Sequence, residues 1–579
     1  MRWAPPAFAL TLAALVGAPL FTPGYLLLRD AVSTPRSYLS DAALGLTAAP
    51  RATPQDLAVA LGSTVIDGGI LVKSLLIAGL WLAGWGAARL TAAVLPDAGL
   101  GGQCVATTLA IWNPYVAERL LQGHWSLLLG YGCLPWVADS MLRLRGDERS
   151  PAAPALTVLG LGFWIALAGL TPTGLLLAAT VALVCTAGAE AGDRVPVRLR
   201  RWRVAVVVAL SLLSALPWLV AGTLGSGLAT HPVAGQWGVG VFAARAEPGL
   251  GTLLSVAGLG GIWNGEAVPA SRTTAFAAVA TAMLLAVVAV GLPTTRRRHA
   301  ARPLLVLALV AVVAPAVAAT APGLRLLGWA IDAEPGLGLL RDGQKWVALA
   351  MPGYVLAGAG SVITLRRWLP SAVSATACCL ALIAVLPDLT YGVGGRVHSV
   401  RYPAGWYEVA ARINAEPAAV AVLPAATMRR FPWAGPAVVL DPLPRWVGSE
   451  VLQTGDLVIS GVAVPGEGTH ARAVQALLLG GASPAELARA GVGWVVVESG
   501  SAAAMGSAGR TMDALRPAYR DADISLYRIG GQSPGVSADR RMASIVGHLP
   551  WLALLLTGGC GLAASRWRRR WEPNPPSEN

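Results

Sequence analysis

Trp112-Asn113-Pro114-Tyr115-Val116-Ala117-Glu118-Arg119-Leu120-Leu121-Gln122-Gly123-His124-Trp125 places a glutamate, an arginine, a glutamine and a histidine where the apolar run 101–117 ends and the run 125–142 begins. Pro114 has no backbone N–H, and its ring clashes with the preceding turn, so a helix arriving from residue 101 breaks or kinks at Asn113. Glu118, Arg119, Gln122 and His124 then lie at or near membrane depth, where a central charge costs about 2.5–3.5 kcal/mol. Such residues face a wet cavity, pair with one another, or lie at the surface. The structural alternative is an interfacial re-entrant turn anchored by Trp112, Tyr115 and Trp125.

Composition supplies the membrane setting. Of 579 residues, 55% are hydrophobic and 13% charged, whereas a soluble globular chain carries about 25% charged residues. Too few polar groups remain to cover a water-facing surface. A span needs about 20 mostly apolar residues. Such runs fall near 5–22, 65–88, 101–117, 125–142, 153–170, 172–190, 203–222, 274–293, 303–321, 346–364, 371–388 and 544–565. The chain also holds 67 glycines and 41 prolines, and small residues let membrane helices approach closely. Arg2, an apolar stretch and Val16-Gly17-Ala18 look like a signal sequence. Pro19 disfavours cleavage there, so the first run is read as a retained helix.

The formal net charge of +13 is no sign of nucleic-acid binding, because the basic residues fall in short clusters between apolar runs. With the N-terminus inside, these clusters are Arg89; Arg143, Arg145 and Arg149; Arg194, Arg198, Arg200, Arg201 and Arg203; Arg296, Arg297, Arg298 and Arg302; Arg366 and Arg367; and Arg566, Arg568, Arg569 and Arg570. All land on the cytoplasmic side, as the positive-inside bias requires of an even span count. Both termini are therefore expected in the cytoplasm. None of the six cysteines falls between Tyr391 and Arg541, so no disulfide is expected in that region. No CxxC or Cys/His spacing suggests zinc.

The expected organisation is a helical membrane domain, 1–391, with outer loops at 23–62, 113–125, 222–273 and 323–345. An extracytoplasmic α/β domain follows at 392–541, then a last span and basic tail at 542–579. In the outer domain, Ala419–Leu423, Ala437–Leu440, Trp494–Val497 and Ile524–Tyr527 read as short buried strands. Trp406–Ile413, Ala471–Leu479 and Pro484–Ala490 read as helices.

Three further outer segments carry chemistry-bearing residues. Arg29, Asp30, Arg36 and Asp41 follow the first helix. A carboxylate there can act as a general base and an arginine can bind phosphate oxygens; the alternative is a solvated loop with local ion pairs. Trp263, Asn264 and Glu266 could line a sugar site or belong to a lid. Arg341 and Lys345, one turn apart, would share a face if a helix starts there, suiting a lipid-linked phosphate; snorkelling cations are the alternative. Asp67 and Lys73, in the second run, could pair or snorkel. The chain has no Walker A loop and no G-x-S-x-G elbow, and few charges sit in mid-helix, against a nucleotide-driven pump or a proton-coupled transporter.

Trp112–Arg119 with Gly123-His124-Trp125, Gly261-Ile262-Trp263-Asn264 and Leu340-Arg341-Asp342-Gly343-Gln344-Lys345 resemble a family of actinobacterial polytopic membrane proteins related to GT-C glycosyltransferases, over most of the chain. The resemblance implies a polyprenyl-phosphate sugar donor of arabinofuranosyl- or mannosyltransferase type, transfer on the outer face, and an acidic base in the first outer loop. Asp30 fits that base by its place after the first helix, with Asp41 in reserve. The donor phosphate falls to Arg29, Arg119, Arg341 and Lys345, and the sugar to His124, Trp263 and Asn264. No contiguous Asp-Asp or Asp-Glu pair occurs in that loop, so no metal and no cofactor is expected. The expected partners are the bilayer, the lipid-linked sugar and an envelope glycan acceptor. The alternatives are a non-catalytic envelope-assembly protein and a lipid-linked glycan transporter or flippase.

Overall fold

The computed structural model describes residues 3–47, 53–146, 152–187, 196–225, 236–459, 462–464, 466, 468–498 and 505–571. Arg149, Arg194, part of the first and third outer loops, and the tail beyond Trp571 lie outside the described residues.

The chain is mostly helical. Among the described residues, five helices are long and apolar enough to cross a membrane: Gly68–Val94, Val197–Gly225, Phe276–Thr295, Gly343–Leu365 and Ala538–Ala564. Two further runs continue past their ends into bent pairs. Arg302–Ala318 turns by 91° into Ala321–Ala333, and Ser371–Ala384 turns by 74° into Pro387–Gly395. Counting each pair as one span gives up to seven by length and composition. The expected twelve runs are helices, but several are shorter than a straight span, among them Ala4–Val16 and Gly99–Ile111. Pro114 breaks the run 101–117 as its missing N–H demands. Asn113, extended and outside the helix, caps Pro114–Gln122 by accepting from the Val116 N–H at 3.1 Å. The segment 323–345, expected as a loop, holds most of the helix Ala321–Ala333 and a 3₁₀ turn, Pro335–Leu340. The helix leaves Leu326 and Trp329 exposed.

Glycines set the closest helix contacts. A Cβ on Gly291 would lie 1.8 Å from the Ala357 carbonyl, and one on Gly132 would lie 2.3 Å from the Gly79 carbonyl. Backbones in lipid approach this closely only where no side chain intervenes. Asp67 and Lys73 do not pair. Asp67 caps Gly68–Val94 through the Gly69 and Ile70 N–H groups. The Lys73 ammonium donates to the Thr22 carbonyl at 2.9 Å and to Ser399 Oγ at 3.2 Å.

The first outer loop is more ordered than its polar sequence suggests. Tyr25–Leu28 and Ala31–Val32 form a hairpin, and Tyr25–Leu28 also pairs antiparallel with Ser399–Val400. The C-terminal region carries a five-stranded sheet in the order Pro517–Arg520, Ile524–Arg528, Trp494–Glu498, Val420–Leu423, Val451–Leu452. Trp494–Glu498 runs parallel to Val420–Leu423 and antiparallel to Ile524–Arg528. The strand expected at Ala437–Leu440 joins a separate pair with Met428–Arg429. This region docks on the first loop. The Arg29 N–H donates to the Val438 carbonyl and the Leu440 N–H to the Arg29 carbonyl, at 3.0 and 2.9 Å. Arg445 meets Asp56 at 3.3 Å. The helix Ala538–Trp571 begins several residues before the expected span.

Candidate active site

Four chain segments, distant in sequence, converge at the hairpin Tyr25–Val32. Its two-residue tip is Arg29-Asp30, because Leu28 pairs with Ala31. Arg29 has φ +50°, a left-handed conformation that costs a side-chain-bearing residue about 1–2 kcal/mol. Its guanidinium holds that turn, donating to the Leu121 carbonyl at 2.6 Å and the Glu266 carbonyl at 2.9 Å, with the Glu266 carboxylate at 3.5 Å. Arg29 is buried, so it braces the tip instead of lying open beside it.

The helix Pro114–Gln122 presses against the hairpin and ends at Gly123, which has φ +83°. The contact leaves no room for a side chain: a Cβ there would meet the Leu28 carbonyl at 2.3 Å and the Ala31 nitrogen at 2.4 Å. Gly123→Ala therefore strains the cap and pushes the hairpin away. A lowered Tm of the correctly inserted protein is the expected result, since the clash is with backbone atoms that have no side chain to move aside.

Asp30 receives its partners from this helix end. Its Oδ2 accepts from Gln122 Nε2 at 3.0 Å and lies 2.9 Å from His124 Nε2, while its N–H donates to the Gln122 carbonyl at 3.2 Å. The side chain keeps 37% of its surface exposed. Burial works to raise the Asp30 carboxyl, but the hydrogen bond from His124, the Gln122 amide and the Lys345 ammonium outweigh it and hold the group below the usual value. Burial is also the main influence on His124, pushing it down, with the Lys345 and Arg119 charges acting the same way against Asp30.

Behind His124 stands a buried ion pair. Arg119, with no exposed side-chain surface, donates to both oxygens of Asp342 at 2.8 and 3.0 Å, to His124 Nδ1 at 3.1 Å and to Gln344 Oε1. Bidentate pairing fixes the guanidinium plane. The Trp263 indole N–H reaches Asp342 at 3.3 Å, and the Lys345 ammonium, 27% exposed, lies 3.8 Å from it. Glu118, fully buried, accepts from the Gly261 and Ile262 N–H groups and from Gln344 Nε2, at 3.1, 3.2 and 2.8 Å. The third loop is thereby tied to the helix Pro114–Gln122. Asn264 Nδ2 donates to Gln122 Oε1 at 2.8 Å.

The residues expected from sequence thus fall into two groups. Asp30, Arg29, Arg119, His124, Asn264, Trp263 and Lys345 share one connected cluster. Arg341 lies at its edge, 5.3 Å over the Phe242 ring, and Gly343–Ala350 forms a 3₁₀ turn that starts after it, so the expected shared helical face with Lys345 does not form. Asp41 belongs elsewhere, bound by Arg541 at 2.6 and 2.8 Å. Glu118 and Gln122, expected at membrane depth, and Asp342 and Gln344, expected only as part of a motif, had been given no role in the site. Glu118 and Gln122 sit four residues apart on one helix, a spacing that signals a shared face. Asp342, two residues from Gln344, carried no comparable signal. Among the described residues, no three His, Cys, Asp or Glu side chains gather as a metal site.

The chain superposes on the solved structure of the arabinofuranosyltransferase AftD from mycobacteria over 92% of its length, with a TM-score of 0.58 and 16% identity. The two share a fold. This agrees, at the level of fold, with the GT-C resemblance read from the sequence motifs. The chain spans 40% of the AftD chain. No protein-family model matches it, and no curated protein does.

Proposed function

We propose that this is a multi-pass membrane glycosyltransferase of the cell envelope. In this reading it moves a sugar from a polyprenyl-phosphate donor to a glycan or glycolipid on the outer face. The observation that carries it is Asp30: a carboxylate at a braced hairpin tip, open to solvent on one side, held ionised by two donors and flanked by Lys345. Asp30 takes the proton of the acceptor hydroxyl as that oxygen bonds to the anomeric carbon. The bond from that carbon to the phosphate oxygen breaks, and polyprenyl phosphate leaves with the electron pair, so the anomeric centre inverts. Lys345 and Arg341 offset the charge that grows on the leaving phosphate, where preorganised cations act most strongly. The fully buried Arg119 acts on that charge only through its field. The C-terminal α/β region, paired with the backbone of Arg29, faces the acceptor glycan. In this reading the chain crosses the membrane twelve times with both termini cytoplasmic, and the hairpin and this region lie outside.

The test uses purified protein in lipid nanodiscs with radiolabelled polyprenyl-phosphate arabinofuranose or mannose and an envelope glycan acceptor. Transfer of one sugar, absent with Asp30→Asn, is expected; no transfer from any polyprenyl-phosphate donor, with the protein folded, would count against the reading. Lys345→Gln removes a charge-assisted contact worth about 1.5–3 kcal/mol. It is expected to lower kcat/KM for the donor by roughly 10- to 100-fold.

A further inference from the structure

We propose that two hydrogen-bond chains of forced polarity both end on Asp30 Oδ2, making Oδ1 the oxygen that takes the proton, and that His124 and Asn264 position this carboxylate instead of holding sugar. This rests on Asp30 being the base.

The first chain starts at Arg119. A guanidinium only donates, so His124 Nδ1, 3.1 Å from Arg119 Nη1, must accept. The proton of the neutral ring then sits on Nε2, which donates to Asp30 Oδ2 at 2.9 Å. This tautomer is assigned from the network. Asp342 holds the guanidinium in place through both carboxylate oxygens.

The second chain starts at a backbone N–H, which also only donates. The Glu266 N–H gives its proton to Asn264 Oδ1 at 3.0 Å. The Asn264 amide is therefore oriented with Nδ2 toward Gln122 Oε1, at 2.8 Å. That contact in turn points Gln122 Nε2 at Asp30 Oδ2, at 3.0 Å. Neither amide can flip without setting two acceptors or two donors face to face.

Both chains reach the same oxygen. Two donors occupy Oδ2, and no donor among the described residues is recorded on Oδ1. An oxygen without a donor is the more basic one. The charged groups facing the imidazole are Asp30, Arg119, Lys345 and Asp342. His124 is thus the fixed donor that keeps Asp30 ionised and aimed, and it need not change protonation during turnover.

The experiment is ¹⁵N NMR of histidine-labelled full-length protein in nanodiscs, with the His124 signals assigned by their loss in His124→Gln. At pH 7 a neutral ring protonated on Nε2 and bare on Nδ1 is expected. A proton on Nδ1, or an imidazolium, would overturn the proposal. Independently, Asn264→Asp removes the donor that sets Gln122. It is expected to lower kcat at least tenfold with the donor KM unchanged; a raised KM at unchanged kcat would make Asn264 a sugar ligand and overturn its assignment. If Asp30→Asn keeps full activity while the tautomer is as stated, the base assignment fails and the wiring stands as structure alone.

Discussion

Asp30→Asn lowers kcat by about 1,000-fold, within the 10²–10⁴ that a positioned general base contributes, and leaves the donor KM nearly unchanged. The substitution is isosteric, and Asn can still accept from Gln122 and His124 through its carbonyl oxygen, so the hairpin stays folded. What is lost is the lone pair that accepts the acceptor proton. The pH dependence of the wild type separates this role from a charge role. A base works only when deprotonated, so kcat/KM rises with pH through its pKa and is flat above. The Asp30 carboxyl is held below the ordinary carboxylate value, because His124, Gln122 and Lys345 outweigh burial. The acid limb therefore lies below about pH 4, and the profile is flat from pH 5 to 8. His124 is pushed below its ordinary value, chiefly by burial, and a ring that only donates to Asp30 and only accepts from Arg119 adds no limb of its own. A limb in that window would make histidine the base. Initial rates measured across this range decide between them.

The second large effect is on stability. Asp342→Ala costs about 3–5 kcal/mol, because it leaves the buried Arg119 guanidinium without the carboxylate that pairs with it. The expected readout is a marked fall in Tm of the protein in nanodiscs, together with loss of activity. Arg119→Met combined with Asp342→Leu removes both charges. Replacing a buried pair by apolar groups of similar volume is often neutral or stabilising, so the double variant should recover much of the Tm. It should not recover activity, since His124 loses the donor that sets its tautomer. The pair also makes stability depend on pH with a definite sign. Burial raises the Asp342 carboxyl, but Arg119 and Lys345 outweigh it and depress the group strongly. A depressed carboxyl stabilises the fold fully above its unfolded value near 4, and this contribution is lost as pH falls through the folded value.

The sequence disclosed the apolar runs and the residue types of the site. It did not disclose how they meet. Pro114 carries its meaning locally, by its missing N–H, so the break before Pro114–Gln122 was legible, whereas the left-handed cap at Gly123 emerged only in the fold. The bends after Ala318 and Ala384 were not, because apolar composition continues through them. No strand was expected in the first outer loop. Its strand character comes from pairing with Ser399–Val400 and Val438–Leu440, more than 370 residues away, a distance no local pattern spans. Arg29 and Arg119 were expected as phosphate ligands from charge alone. Their burial and their carbonyl and carboxylate partners follow from tertiary packing. Asp30 was preferred to Asp41 only for its place just after the first helix; the docking of Arg541 on Asp41 and of His124 on Asp30 is what separates their environments.

The central claim is that this chain adds a sugar to an envelope glycan through Asp30. The most direct measurement is the mass-spectrometric profile of envelope glycans and glycolipids in a strain lacking the protein, complemented by wild type or by Asp30→Asn at matched membrane levels. The account predicts a truncated glycan in the deletion, restored by wild type and left truncated by Asp30→Asn, with the mass difference identifying the sugar. A wild-type profile with Asp30→Asn would contradict it.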